Sequence, residues 1–134
     1  MLQIRPWFSV AALLLIAACA GANTAPAPQL EIELDAFSGR PNPKWLASPE
    51  HAASLSRALS SLPEAPSQPE PSHLGYRGFI IRYQSQQTRV YRGHVFVTAG
   101  GTSRTFTDSA RIEEQLITDA SQRGFGDIVT APQR

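Results

Sequence analysis

The residue types that most often do chemistry in proteins are few in this chain of 134 residues, and they lie far apart. There are three histidines, His51, His73 and His94, and one cysteine, Cys19. Histidines bind zinc or activate a serine or threonine hydroxyl only when the groups lie within a few ångströms of one another. The three histidines fall on three different predicted elements, and the chain lacks GxSxG, HExxH and CxxC motifs. We therefore predict no catalytic residues, no metal site and no cofactor.

The single cysteine ends an apolar stretch near the start of the chain. Arg5 precedes a run from Trp7 to Ala18 that only Ser9 interrupts. The run has the length of a signal-peptide core and is shorter than the roughly 20 residues needed to cross a bilayer. Residues 1–18 are therefore predicted to be a signal peptide for export.

The end of this run, Ile16-Ala17-Ala18-Cys19, resembles the lipobox of bacterial lipoproteins. The resemblance implies that Cys19 is acylated, becomes the new N-terminus and anchors the protein in the cell envelope. It also implies that Ala20, standing where Asp would retain a lipoprotein at the inner membrane, favours the outer membrane facing the periplasm. Two or more acyl chains hold a protein stably on a membrane. Ala18-Cys19-Ala20 also fits an ordinary cleavage site, which would release a soluble periplasmic or secreted protein beginning at Gly21.

Charge limits the partners of the exported part. Once residues 1–18 are removed, Arg5 is lost and 11 basic residues balance 11 acidic residues. A nucleic-acid binder needs a basic excess, so we expect no nucleic acid as a partner. With one cysteine there is no internal disulfide, and an ordinary apolar core must stabilise the fold.

Composition divides the rest of the chain into a tether, one domain and a tail. Residues 19–29 are small and polar with two prolines and predict a flexible tether. Residues 30–130 are long enough for one domain with its own core, and residues 131–134 form a polar tail. Inside the domain, residues 63–73 contain four prolines. They predict an extended surface loop, with a role as ligand of a proline-binding partner as an alternative.

Hydrophobic periodicity predicts an α+β domain in the order β-α-β-β-(β)-α, with two helices packed on one face of a small antiparallel sheet. Apolar and acidic residues alternate from Leu30 to Phe37, as in a half-buried strand. Ser48 starts a helix that Pro63 ends, and Asp108 or Ser109 starts a second helix. Residues 76–83 and 89–98 predict a hairpin, and 104–107 and 127–130 are candidates for further short strands.

The acidic side of the first predicted strand carries Glu31, Glu33 and Asp35. Such a row can bind a cation, face solvent or pair with arginines on a neighbouring strand. The solvated face and the arginine pairing are the favoured interpretations.

After this strand, the segment FSGRPNP (37–43) must turn sharply, because its glycine permits a positive φ and its prolines fix φ at about −65°. The turn presents Arg40 and Asn42, with Trp45 just behind it. The segment closely resembles one in a group of exported bacterial proteins of unknown function. The resemblance implies a shared small fold and carries no activity to any residue here.

These residues leave three hypotheses for function. The favoured one is an envelope lipoprotein whose domain is an interaction or structural module, docking on an envelope protein or a cell-wall component through the turn. The alternative is a binder of a small anionic or carbohydrate ligand, recognised by Arg40 and Asn42 with Arg92 and His94 of the predicted strand 89–98. A hydrolase of unknown type is the third.

Overall fold

The computed structural model describes residues 29–130. The predicted signal peptide, Cys19, the predicted tether up to residue 28 and the predicted tail lie outside the described residues. Within them the chain forms a six-stranded antiparallel sheet with helices, which confirms an α+β fold.

The strands are β1 (Glu31–Leu34), β2 (Lys44–Leu46), β3 (Phe79–Tyr83), β4 (Gln86–Tyr91), β5 (His94–Ala99) and β6 (Thr102–Thr107). The helices are α1 (Pro49–Ser60), α2 (Ile112–Ala120) and α3 (Gly126–Thr130), and a kinked turn at Ser121–Phe125 joins the last two. The order in the sheet is β2-β1-β3-β4-β5-β6, and each strand is antiparallel to its neighbours.

The predicted order of elements was wrong in the strands. Residues 44–46, which lie just behind the predicted turn and were assigned to no strand, form β2, which pairs with residues 31–33. The predicted strand 89–98 is two strands, because Arg92 and Gly93 have φ of 46° and 76° and form the tight turn between β4 and β5. The polar residues 84–88 between the two predicted strands are a loop only in part, because β4 begins at Gln86.

The C-terminal segment 127–130 belongs to α3 and is not an edge strand. Gly124 has φ of 90° and redirects the chain after α2. Ile128 and Val129 then pack against the core from a helical turn. Four residues are too few for periodicity to distinguish a helix from a strand.

The core lies between one face of the sheet and the helices. Ile32 of β1 pairs with Ile81 of β3, so their side chains share a face with Phe79, two residues along β3. Leu55 of α1 and Leu116 of α2 are fully buried in the same cluster as these three side chains. Both helices therefore pack on this face, the core face.

α1 begins where its capping residue Ser48 predicts. α2 begins at Ile112, beyond the predicted caps Asp108 and Ser109, and Arg111 occupies its N-cap position with φ of 55°. Ser48 Oγ accepts a hydrogen bond from the backbone N–H of His51 at 3.2 Å. The carboxylate of Asp108 accepts from the N–H groups of Ile112 and Glu113 at 2.8 and 2.9 Å. Each bond satisfies a helical N–H that has no partner within its helix.

The connection from β2 to β3 wraps around the edge of the sheet. α1 crosses the core face toward β6, and Ala65 N–H then donates to the Thr105 carbonyl oxygen of β6 at 2.9 Å. The chain returns over the opposite face, where Gln68 N–H donates to Thr105 Oγ1 at 3.4 Å. We call residues 63–71 the Pro-rich strap.

Candidate functional site

The acidic residues of β1 are paired with cations on both neighbouring strands. Glu31 and Glu33 face away from the core, because they alternate with buried apolar residues. Arg82 of β3 lies 3.3 Å from Glu31 and 2.5 Å from Glu33. Lys44 of β2 lies 3.5 and 3.3 Å from the same carboxylates. The arginine-pairing interpretation of the acidic row is confirmed.

Asp35, only 4% exposed, is the most enclosed of these carboxylates. Arg77 donates to both of its oxygens, from Nε at 3.2 Å and from Nη2 at 2.5 Å. Arg89 of β4 donates to Oδ2 at 2.5 Å and reaches Glu70 of the Pro-rich strap at 3.3 Å. Burial opposes ionisation, but the bonds from the two arginines outweigh it, so the pKa of Asp35 lies below its usual value.

Asn42 ties the turn to the acidic row. Its Oδ1 accepts from the backbone N–H groups of Ala36 and Phe37 at 3.2 and 2.9 Å. Its Nδ2 donates to Glu33 at 2.8 Å and to Asp35 at 3.2 Å. Burial opposes the ionisation of Glu33, but this bond and those from the neighbouring cations lower its pKa. Because both donors and both acceptor sites of the amide are used, Asn42 is a structural clasp.

Trp45 is held from the core side of β2. Its Nε1 donates to Asp119 of α2 at 2.7 Å. Its ring stacks on Phe125 with 6.0 Å between centroids and meets Phe79 edge to face at 6.5 Å. The guanidinium of Arg123 lies 5.2 Å from the ring centroid. Trp45 therefore joins the edge of the sheet to the C-terminal helices.

Arg40 and Arg92 are exposed and lie over aromatic rings. The guanidinium carbon of Arg40 is 3.6 Å from the ring centroid of Phe37, and that of Arg92 is 5.1 Å from the centroid of Tyr91. Within the described part of the chain the ion pairs involve other basic side chains. Cation–π contact orients a guanidinium group and leaves its N–H donors directed outward.

The register of the sheet brings these two arginines to the same end. Phe79 of β3 pairs with Leu34, the last residue of β1, and with Val90 near the end of β4. The turn after β1, which carries Arg40, and the turn after β4, which carries Arg92, are therefore separated only by β3. We call this region the arginine end of the sheet.

The three histidines belong to different parts of the fold. His94, half-buried at the start of β5, has Nδ1 at 3.1 Å from the carbonyl oxygen of Arg92. His51, at the start of α1, is 3.8 Å from the carboxylate of Asp119. His73 precedes β3. Among the described residues no three His, Cys, Asp or Glu side chains form a group that could hold a metal ion.

A cluster near the arginine end did not emerge from the sequence. His73 Nε2 lies 3.2 Å from the hydroxyl of Tyr91 and 3.1 Å from the carbonyl oxygen of Tyr76. The hydroxyl of Tyr76 donates to Glu113 at 2.7 Å, and burial together with this carboxylate raises the pKa of Tyr76. These residues lie on separate segments, so no local spacing could have signalled the cluster.

A groove of about 510 Å³ lies between α1 and the core face of β3–β6. Leu59, Ile81 and Phe106 are among its apolar walls. Thr88, 2% exposed, lines it as well, and its hydroxyl accepts from Gln86 at 3.3 Å. The volume falls within the range of small-molecule sites.

No protein-family model, curated protein or solved structure matches this chain. Among the helices of residues 29–130, none has the length and apolar character needed to cross a membrane.

Proposed function

We propose that this chain is a lipoprotein of the bacterial envelope, anchored through acyl chains on Cys19, whose domain is an interaction module. The lipobox-like end of the apolar run supports the anchor, and Ala20 favours the outer membrane. Ten residues, 20–29, separate Cys19 from Leu30, the first core residue. A flexible segment of that length spans about 17 Å on average, which would keep the domain close to the membrane surface.

The observation that carries the interaction role is the pair of exposed arginines at the arginine end. Arg40 and Arg92 lie on turns whose backbone is fixed, the first by the Asn42 clasp and the second by the tight β4–β5 turn. Guanidinium groups in fixed positions recognise carboxylates and phosphates through paired hydrogen bonds. The partner would thus present an anionic group, on an envelope protein or on the cell wall.

The anchor is tested on protein purified from the membrane fraction of the native bacterium. Intact-mass analysis should show a diacylated or triacylated cysteine at position 19 as the first residue. A Cys19→Ser variant should move to the soluble fraction. A mature chain beginning at Gly21 would contradict the anchor and leave the docking proposal standing.

The docking surface is tested by co-sedimentation with purified peptidoglycan sacculi and by co-purification with outer-membrane proteins. The double variant Arg40→Ala/Arg92→Ala should weaken binding by about tenfold, and added salt should weaken binding of the parent. Arg57→Ala, on the exposed side of α1, is the matched control and should bind like the parent. Equal binding by the parent and the double variant would rule out the arginine end as the docking surface.

A second candidate function, small-ligand binding, is favoured by the groove beneath α1. Its apolar walls and the Thr88 hydroxyl suit a ligand with an apolar body and an anionic or carbohydrate head. Octanoate and octyl glucoside are direct probes, followed by shifts of the backbone amide signals of Thr88, Leu59 and Val97. Saturable shifts that persist in Arg40→Ala would support this site, whereas no shifts at millimolar probe would eliminate it.

A further inference from the structure

The Pro-rich strap carries prolines at intervals of three residues. Pro63, Pro66 and Pro69 are all exposed, and residues 65–72 contain no helix, turn or bend. Each proline fixes its own φ at about −65° and pushes the preceding residue into an extended conformation. This spacing favours the polyproline II conformation, whose three residues per turn would align the three prolines along one edge. We call these three exposed prolines the proline edge.

Ion pairs hold the strap near both of its ends. Glu64 pairs with Arg104 of β6 at 3.0 Å, and Glu70 pairs with Arg89 of β4 at 3.3 Å. Arg104 shares the core face with Phe106, whereas Arg89 lies on the opposite face. The strap therefore passes around the outer edge of β6 between these two ion pairs.

The strap is also bonded to the sheet through its backbone. Its first residues form an antiparallel bridge to β6, in which Glu64 is paired with Phe106. The N–H groups of Ala65 and Gln68 both donate to Thr105, one to its carbonyl oxygen and one to its hydroxyl. These contacts leave the proline edge exposed.

The strap is held in place along its length. Beneath it, Ile80 and Phe96 project to the face opposite the helices and are only 5% and 4% exposed. We attribute this burial to the strap, because both long helices pack on the other face. The segment is therefore already extended and fixed to the sheet, so a proline-recognising partner loses little conformational entropy by binding it.

We infer that the proline edge is a docking site for a protein with a groove lined by aromatic side chains. Such grooves bind polyproline II segments by packing aromatic rings between prolines spaced three residues apart. Arg104 and Arg89 neutralise Glu64 and Glu70, and the three prolines between and beside these pairs are exposed. This inference rests on the proposed interaction role and names its partner class, but it uses a surface other than the arginine end.

The test is photo-crosslinking of the full chain in the native bacterium. A p-benzoylphenylalanine replaces Ser67, which is exposed and lies between Pro66 and Pro69, and in a control chain it replaces Ser85 in the exposed β3–β4 turn. We expect one protein adduct from position 67 that is absent from position 85. Mass spectrometry of the adduct should place the crosslink among tryptophan and tyrosine residues of the partner.

Proline variants test whether formation of the adduct requires the proline edge. Pro66→Ala/Pro69→Ala should abolish the adduct, while Arg40→Ala/Arg92→Ala should retain it and so separate this surface from the arginine end. With the purified partner, the double proline variant should bind about tenfold more weakly, and Pro71→Ala, at a half-buried proline outside the proline edge, should bind like the parent. Far-UV circular dichroism and Trp45 fluorescence verify that each variant is folded.

Three results would overturn the inference. One is the absence of any adduct specific to position 67. Another is an adduct that the double proline variant still forms at the parent level. The last is a crosslink to lipid or to a partner surface without aromatic residues.

Discussion

At the level of single residues, neighbouring polar side chains of the 37–43 turn have opposite roles. Asn42 makes four hydrogen bonds within the protein, whereas Arg40 projects over Phe37 toward solvent. Proline and glycine chemistry predicted the turn itself. It did not predict which side chain faces inward, because that depends on where the carboxylates of β1 lie in the folded sheet.

Replacement of Asn42 should therefore destabilise the fold far more than replacement of Arg40. Asn42→Ala leaves the N–H groups of Ala36 and Phe37 without acceptors and should lower the free energy of unfolding by about 2–3 kcal/mol. Arg40→Ala should change it by less than about 0.5 kcal/mol. Urea unfolding of both variants and the parent measures the difference, and equal effects would contradict the clasp.

The acidic row should make the protein less stable as the pH is lowered into the acid range. The pKa values of Glu33 and Asp35 lie below their ordinary values in the folded protein. Between the folded and unfolded pKa values the unfolded chain binds more protons, so stability rises with pH there. The stabilisation is complete above the ordinary values of about 4.3 and 3.9 and is lost as the pH falls through the lower folded values.

Urea unfolding between pH 2 and 7 should show this loss below about pH 4. Asp35→Asn should be less stable at neutral pH and should depend less on pH in the acid range. Glu50→Gln, in the exposed first turn of α1, should keep the parent's pH dependence. A parent protein with constant stability from pH 2 to 5 would contradict the assignment.

At the level of elements, signals in the local sequence located the helices, whereas the positions of the strands depend on pairing between segments that are distant in sequence. Ser48 marked the start of α1, because a cap acts on the N–H groups of the first turn. The carboxylate of Asp108 also bonds the first N–H groups of α2, but that helix begins later than predicted, with Arg111 at its N-cap position. β2, only three residues long, exists because β1 lies beside it, and no alternation within 44–46 could reveal it. The Arg92-Gly93 pair is a local turn signal within 89–98. The β-branched and aromatic residues on both sides of it nevertheless favoured one continuous strand.

Gly78 gives a prediction for the start of β3. Gly75 and Gly78 share a φ of 90°, but a Cβ on Gly78 would lie 2.0 Å from the carbonyl oxygen of Val90, whereas Gly75 has no atom within 4 Å. Gly75→Ala should cost about 1–2 kcal/mol through backbone strain alone. Gly78→Ala should cost more than about 4 kcal/mol or prevent folding, because β3 and β4 cannot keep their spacing. Thermal unfolding of the pair separates strain from collision, and similar midpoints would contradict the close contact.

At the level of the whole molecule, one core joins the sheet to both long helices. The sequence predicted that arrangement, because amphipathic helices and alternating strands leave few ways to bury their apolar sides. It did not predict the groove, the Pro-rich strap's path or the meeting of two turns at the arginine end. Each depends on strand order, which is set by contacts between residues distant in sequence.

A single core predicts cooperative unfolding. Trp7 lies in the predicted signal peptide, and Trp45 is the one tryptophan of residues 19–134. It contacts β3, α2 and the kinked turn, and its fluorescence reports on their packing. Urea transitions followed by this fluorescence and by far-UV circular dichroism should coincide, as in other domains of about 100 residues. Separate midpoints would mean that the C-terminal helices unfold independently.

The path of the β2–β3 connection also imposes an order on folding. β3 to β6 form from hairpins whose partners are close in sequence, whereas the connection encloses β4, β5 and β6 between α1 and the Pro-rich strap. Local contacts close quickly, and long loops close late. The four-strand meander should therefore assemble first and the strap should close over it last. Pulse-labelling hydrogen exchange would detect this as early protection of the Val90 and Val95 amides and late protection of those of Ala65 and Gln68.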